Sequence, residues 1–524
     1  MRVLSAVQMR EVDRATIAGG FATGAGLMAN AARAAEACLE RDFPRALAGR
    51  IAILCGGGNN GGDGLVLAAR LRRRRVDVLP LLFASPARLR GEAAAAYAAL
   101  VPPPAALADL AAWRARRAGV LAAALVVDAL FGTGLCRPLE GWLRAVVEDL
   151  NRGFGGPVLA LDLPSGLGAD ACGPAEADGA AVVRAAATVT FTAPKPGLYL
   201  SHHAAAAGRI RVAPIGTPEA IVVAAGSRLQ VTTAADCRPL AAPRPPAAFK
   251  NSFGHVVVLA GALGKSGAAV LASTAALRAG AGLVTAAVPR EVLPIVAAAR
   301  PELMTEPLPD AAASPAALAA SLDALLGRAT VLAAGPGLGA APPTRALLEA
   351  ALAAARRPVV LDADGLNAFA GRLPALRAAL AHAAAVLTPH PGEMARLFAV
   401  SPTDVEARRP YYVQRLAAET GAIALLKGHR TLIADPEGET RINATGNPGM
   451  ATAGAGDVLT GIIAGLLAQF PLVPRLDTVA AAAYLHGLAG DLAARRLGER
   501  SLLAGDLIAA LPAALRRVAS REPV

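Results

Sequence analysis

"RIAILCGGGNNGGDG", residues 50–64, decides how the first half of the chain is read. A short apolar run passes straight into glycines and then into a helical stretch, whose free amide groups would suit a phosphate. Gly56, Gly58 and Gly61 satisfy GxGxxG, which alone is weak evidence for a dinucleotide fold. The next strand ends "PLLFASP" and supplies no acid for a ribose hydroxyl, so the ordinary NAD fingerprint is set aside. Asn59, Asn60 and Asp63 are then more than a glycine turn requires.

Outward from this stretch the pattern repeats. Apolar runs at 76–83, 123–130, 157–164 and 186–193 alternate with alanine-rich helical segments, as expected of a parallel sheet covered on both faces. In such sheets ligand groups gather at the carboxyl ends of the strands. Two runs end in "DALFGTGLCRP" (128–138) and "DLPSG" (162–166), which place Asp128 and Asp162 where buried strands emerge. A carboxylate there must be hydrogen-bonded, paired or functional. Asn60, Asp128 and Ser165 would offer oxygen ligands alone, a set suited to a hard cation.

The proline-rich segment 237–255 interrupts this grammar, which restarts at "HVVVLAG". We therefore expect an α/β protein of two three-layer α/β/α domains: residues 1–225 with a Rossmann-like parallel sheet, and residues 226–524 with a second sheet of their own. At 524 residues each half can bury its own core. In the second half, strand ends deliver "GPGLG", "DADGLN", "TPHPGE" and "KGHRT" to one sheet edge. His390, between two prolines, must project from a turn, and Lys427 leaves a buried strand where it would meet an anion. In "GNPGMATAGAGD" (446–457), Gly454 and Gly456 allow close approach of a ligand. Asp457 can serve as a helix cap, as a base toward a hydroxyl, or as both.

Net charge, at +12, is spread along the chain, and its densest run, "RLRRRR" (70–75), ends a helix. With aromatics at 3%, a stacking platform for nucleic acid is not expected. Five cysteines without a CxxC pair argue against disulfides or zinc, and no apolar leader or membrane span is read, so a cytoplasmic protein is expected.

Four motifs in order, "GGGNNGGDG", "DALFGTG", "LDLPSGL" and "FTAPKPGL", resemble the N-terminal domain of the bifunctional NAD(P)H-hydrate repair enzymes. That resemblance implies epimerisation of the R and S forms of hydrated NADH and NADPH (NADHX and NADPHX). It also implies a potassium ion held by Asn60, Asp128 and Ser165. Asn59, Asn60, Gly61, Gly62, Asp63, Gly132, Thr133, Gly134, Leu135, Cys136, Arg137, Pro138 and Asp162 would contact the hydrate. Inverting the hydrated carbon needs reversible C–O cleavage with proton transfer, for which Asp162 is the candidate acid/base. Lys195 either assists or binds phosphate.

"GAGD" taken alone resembles the ribokinase-like superfamily and would imply a small-molecule kinase with a regulatory N-terminal domain. The wider set of motifs more closely resembles the dehydratase domain of the same repair enzymes. It implies that Lys427, Gly428, His429, Arg430, Thr431 and Gly456 bind ADP or ATP, with Mg2+. Ala268, Gly337, His390 and Asp457 would face the S hydrate, with Asp457 catalytic. Self-association is also expected, with small molecules as the other partners and neither nucleic acid nor membrane among them.

Overall fold

The computed structural model describes residues 1–135, 137–173, 180–339 and 341–520, which divide into two compact units, Met1–Ser227 and Arg228–Val524. Each is a sheet flanked by helices.

The strands of the first unit are β1 (Ile51–Cys55), β2 (Val78–Leu82), β3 (Ala105–Ala106), β4 (Leu125–Ala129), β5 (Val158–Leu161), β6 (Ala187–Phe191) and β7 (Arg209–Ala213). They form a wholly parallel sheet in the order β3-β2-β1-β4-β5-β6-β7. Five of them are the apolar runs read from the sequence. Their side chains are buried on both faces, with Ile53 and Val127 in one core layer and Leu54 and Val126 in the other. The order reverses between β1 and β4, and ligand crevices open at such switch points. β3 and β7 were not anticipated. β3 has two residues, and β7, "RIRVA", is a partly exposed edge whose Arg209 and Arg211 pair with Asp42, so it lacks an apolar run.

The second unit contributes β8 (Leu229–Val231), β9 (His255–Leu259), β10 (Leu283–Val288), β11 (Met304–Pro307), β12 (Val331–Ala334), β13 (Val359–Leu361), β14 (Ala385–Leu387), β15 (Ile423–Leu426), β16 (Leu432–Ala434) and β17 (Thr440–Ile442). They lie in the order β11-β10-β9-β12-β13-β14-β15-β16-β17-β8, parallel except for the β15-β16-β17 meander. The proline-rich seam is folded rather than extended. Its start packs on the second core through Cys237 and Leu240, while β8 extends the far edge of the sheet.

Beneath this sheet two helices, Ser266–Ala279 and Ala455–Gln469, pack through small residues. A Cβ on Gly461 would stand 2.1 Å from the carbonyl oxygen of Ala272, and one on Gly465 would stand 2.7 Å from that of Ala276. These close contacts seat the N-terminus of the second helix beside the carboxyl ends of the strands.

Candidate active sites

In the first unit β1 leads through Gly56–Gly58 into the helix Asn59–Arg73, whose N-cap position is Gly58. The turn is tight: a Cβ on Gly61 would fall 1.9 Å from Gly56 O, so no other residue fits. Asn60 follows the cap, and its Oδ1 and Nδ2 are both buried without a hydrogen-bond partner among the described residues. A buried amide without partners is costly, and each such group calls for an explanation.

Asp128 and Ser165 form one unit. Ser165 Oγ donates to Asp128 Oδ1 at 2.6 Å, Ser165 N donates to Oδ2 at 2.7 Å, and Phe131 N donates to Ser165 Oγ at 2.9 Å. Both residues are fully buried. Burial pushes the Asp128 carboxyl up to about 6, against the pull of the Ser165 and Leu130 hydrogen bonds.

Asp162 ends β5 with φ of +64°, a left-handed conformation that non-glycine residues seldom adopt. Four hydrogen bonds hold it there. Thr133 N donates to Oδ2 at 3.1 Å, Thr190 Oγ1 to Oδ1 at 3.2 Å and Lys195 Nζ to Oδ1 at 2.5 Å, while its own N–H donates to Val189 O at 2.8 Å. Lys195 is 1% exposed, and its other contacts run from Nζ to Thr190 Oγ1 at 2.9 Å and Phe191 O at 3.2 Å. Its three donors serve Asp162 and its surroundings. Gly132 joins the motifs, since a Cβ there would lie 2.8 Å from Asp162 Oδ2 and 3.3 Å from the Asn60 Cβ.

Asn59, Asn60, Asp63, Gly132, Thr133, Gly134, Leu135, Asp162 and Lys195 line one cavity of about 490 Å³. Gly61 and Gly62 are buried in the helix start behind it, and Arg137 and Pro138 line a neighbouring cavity that shares Thr133–Leu135. Cys136 lies outside the described residues. Burial, with Asp162 and Asp13 nearby, holds Asp63 well above the usual carboxylate range, opposed by Lys195. Asp13, from the helix Ala6–Ala18, also lines this cavity and has no counterpart in the sequence reading.

In the second unit Lys427, just past β15, does meet an anion, but the anion belongs to the protein. Its Nζ donates to Asp362 Oδ1 at 2.6 Å and lies 3.7 Å from Glu393 Oε2. Asp362 Oδ2 accepts from Thr460 Oγ1 at 2.7 Å. Burial works against the Lys427 ammonium, but Asp362 and Glu393 outweigh it and hold the group above its ordinary value. Gly456 presents bare backbone to the pair, since a Cβ there would be 3.4 Å from Lys427 Nζ.

Of the two roles open to Asp457, capping is removed. Gly454, at φ +88°, holds the cap position, the helix begins at Ala455, and Asp457 is its third residue. Burial first, then Asp362, push its carboxyl up to about 7, with Lys427 opposing. His486 fixes the same helix start, donating from Nε2 to Ala455 O at 3.0 Å, and burial pushes this imidazole down to about 4, so it is neutral.

His390 caps the helix Pro391–Phe398, with its Nδ1 accepting from Gly392 N at 3.0 Å. The remaining proton therefore sits on Nε2, 3.4 Å from Glu393 Oε1. Gly337, at φ +67°, lies against Ala268, so these two expected residues are neighbours. The loop Gly428–Thr431 is tied down by Arg409, which donates to the carbonyls of His429 and Arg430, and by Thr431 Oγ1 donating to Gly428 O at 3.1 Å. Lys265 is half exposed, with its Nζ 3.4 Å from Asp364 Oδ2.

Both halves match known families. A family model described as YjeF-related protein N-terminus matches residues 24–197, and one described as NAD(P)H-hydrate dehydratase matches residues 256–513. A bifunctional NAD(P)H-hydrate repair enzyme of Moorella thermoacetica is 43% identical over 99% of this chain and 97% of its own. The chain belongs to the bifunctional NAD(P)H-hydrate repair enzymes.

Another bifunctional NAD(P)H-hydrate repair enzyme, from Escherichia coli K12, is 35% identical over 88% of this chain and 84% of its own. Among solved structures, an ADP/ATP-dependent NAD(P)H-hydrate dehydratase of Bacillus subtilis, co-crystallised with ATP and Mg2+, is 30% identical. It covers 55% of this chain and 98% of its own, with a TM-score of 0.48. Among the described residues of this repair-enzyme chain, no helix is long and apolar enough to cross a membrane.

Proposed function

We propose that the chain repairs hydrated NADH and NADPH in two steps. The first unit interconverts the R and S hydrates, and the second dehydrates the S form at the expense of ADP, giving AMP and phosphate. The observation that carries this reading is that each unit sets a buried carboxylate, paired with a lysine, at the carboxyl edge of its sheet. Asp162 with Lys195 and Asp362 with Lys427 are the two pairs, and each lies beside a helix N-terminus.

In the first site Asp162 is the acid/base toward the hydrated carbon, and the backbone of Asn59–Asp63 and Gly132–Pro138 receives the rest of the substrate. Asn60, Asp128 and Ser165 would hold potassium. The orphaned amide of Asn60 supports this, and so does a set with one carboxylate and otherwise neutral oxygens, which suits a monovalent ion. The ion would supply a fixed positive charge there.

In the second site Asp457 takes the proton from the ring hydroxyl as the terminal phosphoryl group of the nucleotide is transferred to it. Phosphate then leaves, a proton departs from the neighbouring ring carbon, and the double bond is restored. Phosphate is the better leaving group, and the amide at Gly456, in the first turn of the helix, suits it both before and after transfer. Lys427, Gly428, His429, Arg430, Thr431 and Gly456 bind the nucleotide; Ala268, Gly337, His390 and Asp457 face the hydrate. Mg2+ belongs here as the companion of the nucleotide phosphates. The setting is a cytoplasmic homo-oligomer.

The test is a mixture of R and S hydrate with ADP or ATP, followed by NADH absorbance. Full consumption with one nucleotide per NADH supports the reading. A stable phosphorylated alcohol released in place of NADH would instead establish a kinase.

A further inference from the structure

Asp13 reaches the first cavity from a helix far from the glycine turn, and shares it with Asp63, Asp162 and Lys195. Its Oδ1 is buried and without a hydrogen-bond partner among the described residues. Lys195 cannot satisfy it, because all three ammonium hydrogens are committed to Asp162, Thr190 and Phe191. A buried carboxyl oxygen left so is poorly suited to a permanent charge and well suited to a group that carries and gives up a proton.

We propose that Asp13 is a second catalytic residue of the epimerisation, the acid that protonates the departing hydroxyl, while Asp162 accepts a proton from the water that replaces it. This rests on the two-step reading above. Inverting one carbon requires that oxygen leave one face and arrive on the other, and a single carboxyl group is badly placed to serve both. Asp13 and Asp162 come from different elements, and Asp162 already stands as the carboxylate of an ion pair with Lys195.

The step balances without a further reactant. Asp13 gives its proton to the hydroxyl, the C–O bond breaks with its electron pair leaving as water, and the ring nitrogen lone pair forms a C=N bond. Water then adds to the other face, the C=N pair returns to nitrogen, and the extra proton passes to Asp162. Asp13 is left as carboxylate and Asp162 neutral, which is the starting state for the reverse conversion. A proton returned through cavity water resets the pair.

The surrounding charges agree with the roles. Burial pushes the Asp13 carboxyl up to about 6; Lys195 pulls it down and Asp162 pushes it up. Asp63, itself held above the usual range, faces the same space, and Arg10 and Glu92 also line it. A carboxylic acid with this setting is partly protonated near neutral pH, where its unburied counterpart would not be.

The test uses the full chain with potassium and without nucleotide, following conversion of isolated R hydrate to S hydrate across pH 5 to 9. The wild-type rate is expected to fall as pH rises through the Asp13 ionisation. Asp13→Asn should slow conversion about 100-fold or more and abolish that alkaline limb, while Asp13→Glu should keep the limb at a shifted pH. An Asn variant within about threefold of wild type, or a slowed one that retains the limb, overturns the proposal. Should the Asn variant unfold, the Glu variant decides: a limb that does not move overturns it. A wild-type chain that never interconverts R and S, alongside an equally inert Asp162→Asn, would instead sink the epimerase reading itself.

Discussion

Lys195 Nζ lies 2.5 Å from Asp162 Oδ1 in a pocket where the lysine is 1% exposed, so each is the other's buried partner. The pair sits at the end of β5 and holds a backbone in the left-handed region. Taking one partner away leaves a buried charge without compensation, which typically costs about 3–5 kcal/mol. Lys195→Met should therefore lower the thermal midpoint of the first unit by on the order of 10 °C and abolish epimerisation. Scanning calorimetry and R-to-S conversion check this; a variant with an unchanged midpoint would show that the pair contributes nothing to the fold.

In the second unit the pH profile is the sensitive reporter. As the base proposed above, Asp457 would work deprotonated, and dehydration should rise with pH through about 7, where burial and Asp362 have placed its ionisation. Asp362→Asn removes a negative charge that opposes ionisation, and the rising limb should move to lower pH. The profile of kcat/KM for the S hydrate from pH 5 to 9 decides; a shift to higher pH contradicts the assignment of Asp457 as base.

Asn60 predicts an ion dependence. With its amide replaced, Asn60→Ala should raise the potassium concentration for half-maximal epimerisation about tenfold or more, with activity recovered at excess potassium. Titration of the chloride salt, at ionic strength held constant with tetramethylammonium, measures it. An unmoved half-saturation point would remove Asn60 from the site.

Close packing gives a fourth expectation. Gly461→Ala puts a methyl group 2.1 Å from the Ala272 carbonyl, an overlap that flexible side chains cannot relieve. Overpacking of this kind costs about 1–3 kcal/mol, so the second unit should melt several degrees lower. Dehydration should fall as the helix bearing Asp457 is displaced, whereas epimerisation should continue at the wild-type rate.

The core of each sheet was legible because a parallel strand buried on both faces must be a continuous apolar run, and such runs end where function collects. Asn60, Asp128, Asp162 and Ser165 were visible for that reason. The same rule would have found Asp362, at the end of "VVLD", and Glu393 stands in a motif already quoted. Asp13 had no such signal. It occupies an ordinary charged helix, "MREVDRA", and reaches the cavity through tertiary packing that local sequence does not record. The hairpin strands β16 and β17 were missed because they follow β15 as an antiparallel meander with no helix between, which breaks the strand–helix alternation by which the other strands were read. Arg409 and His486 escaped because each acts on a backbone carbonyl distant in sequence.

The seating of helix Ala455–Gln469 on Ser266–Ala279 carries a last consequence. Gly461 and Gly465 meet the Ala272 and Ala276 carbonyls directly, so the register between the helices is set by atoms that have no torsional freedom. Leucines in the same place would hold the helices through rotamers, each with alternative wells that warming populates. At these two crossings there is no rotamer to hop, so the axial register of the helix that carries Asp457 is set by backbone contact.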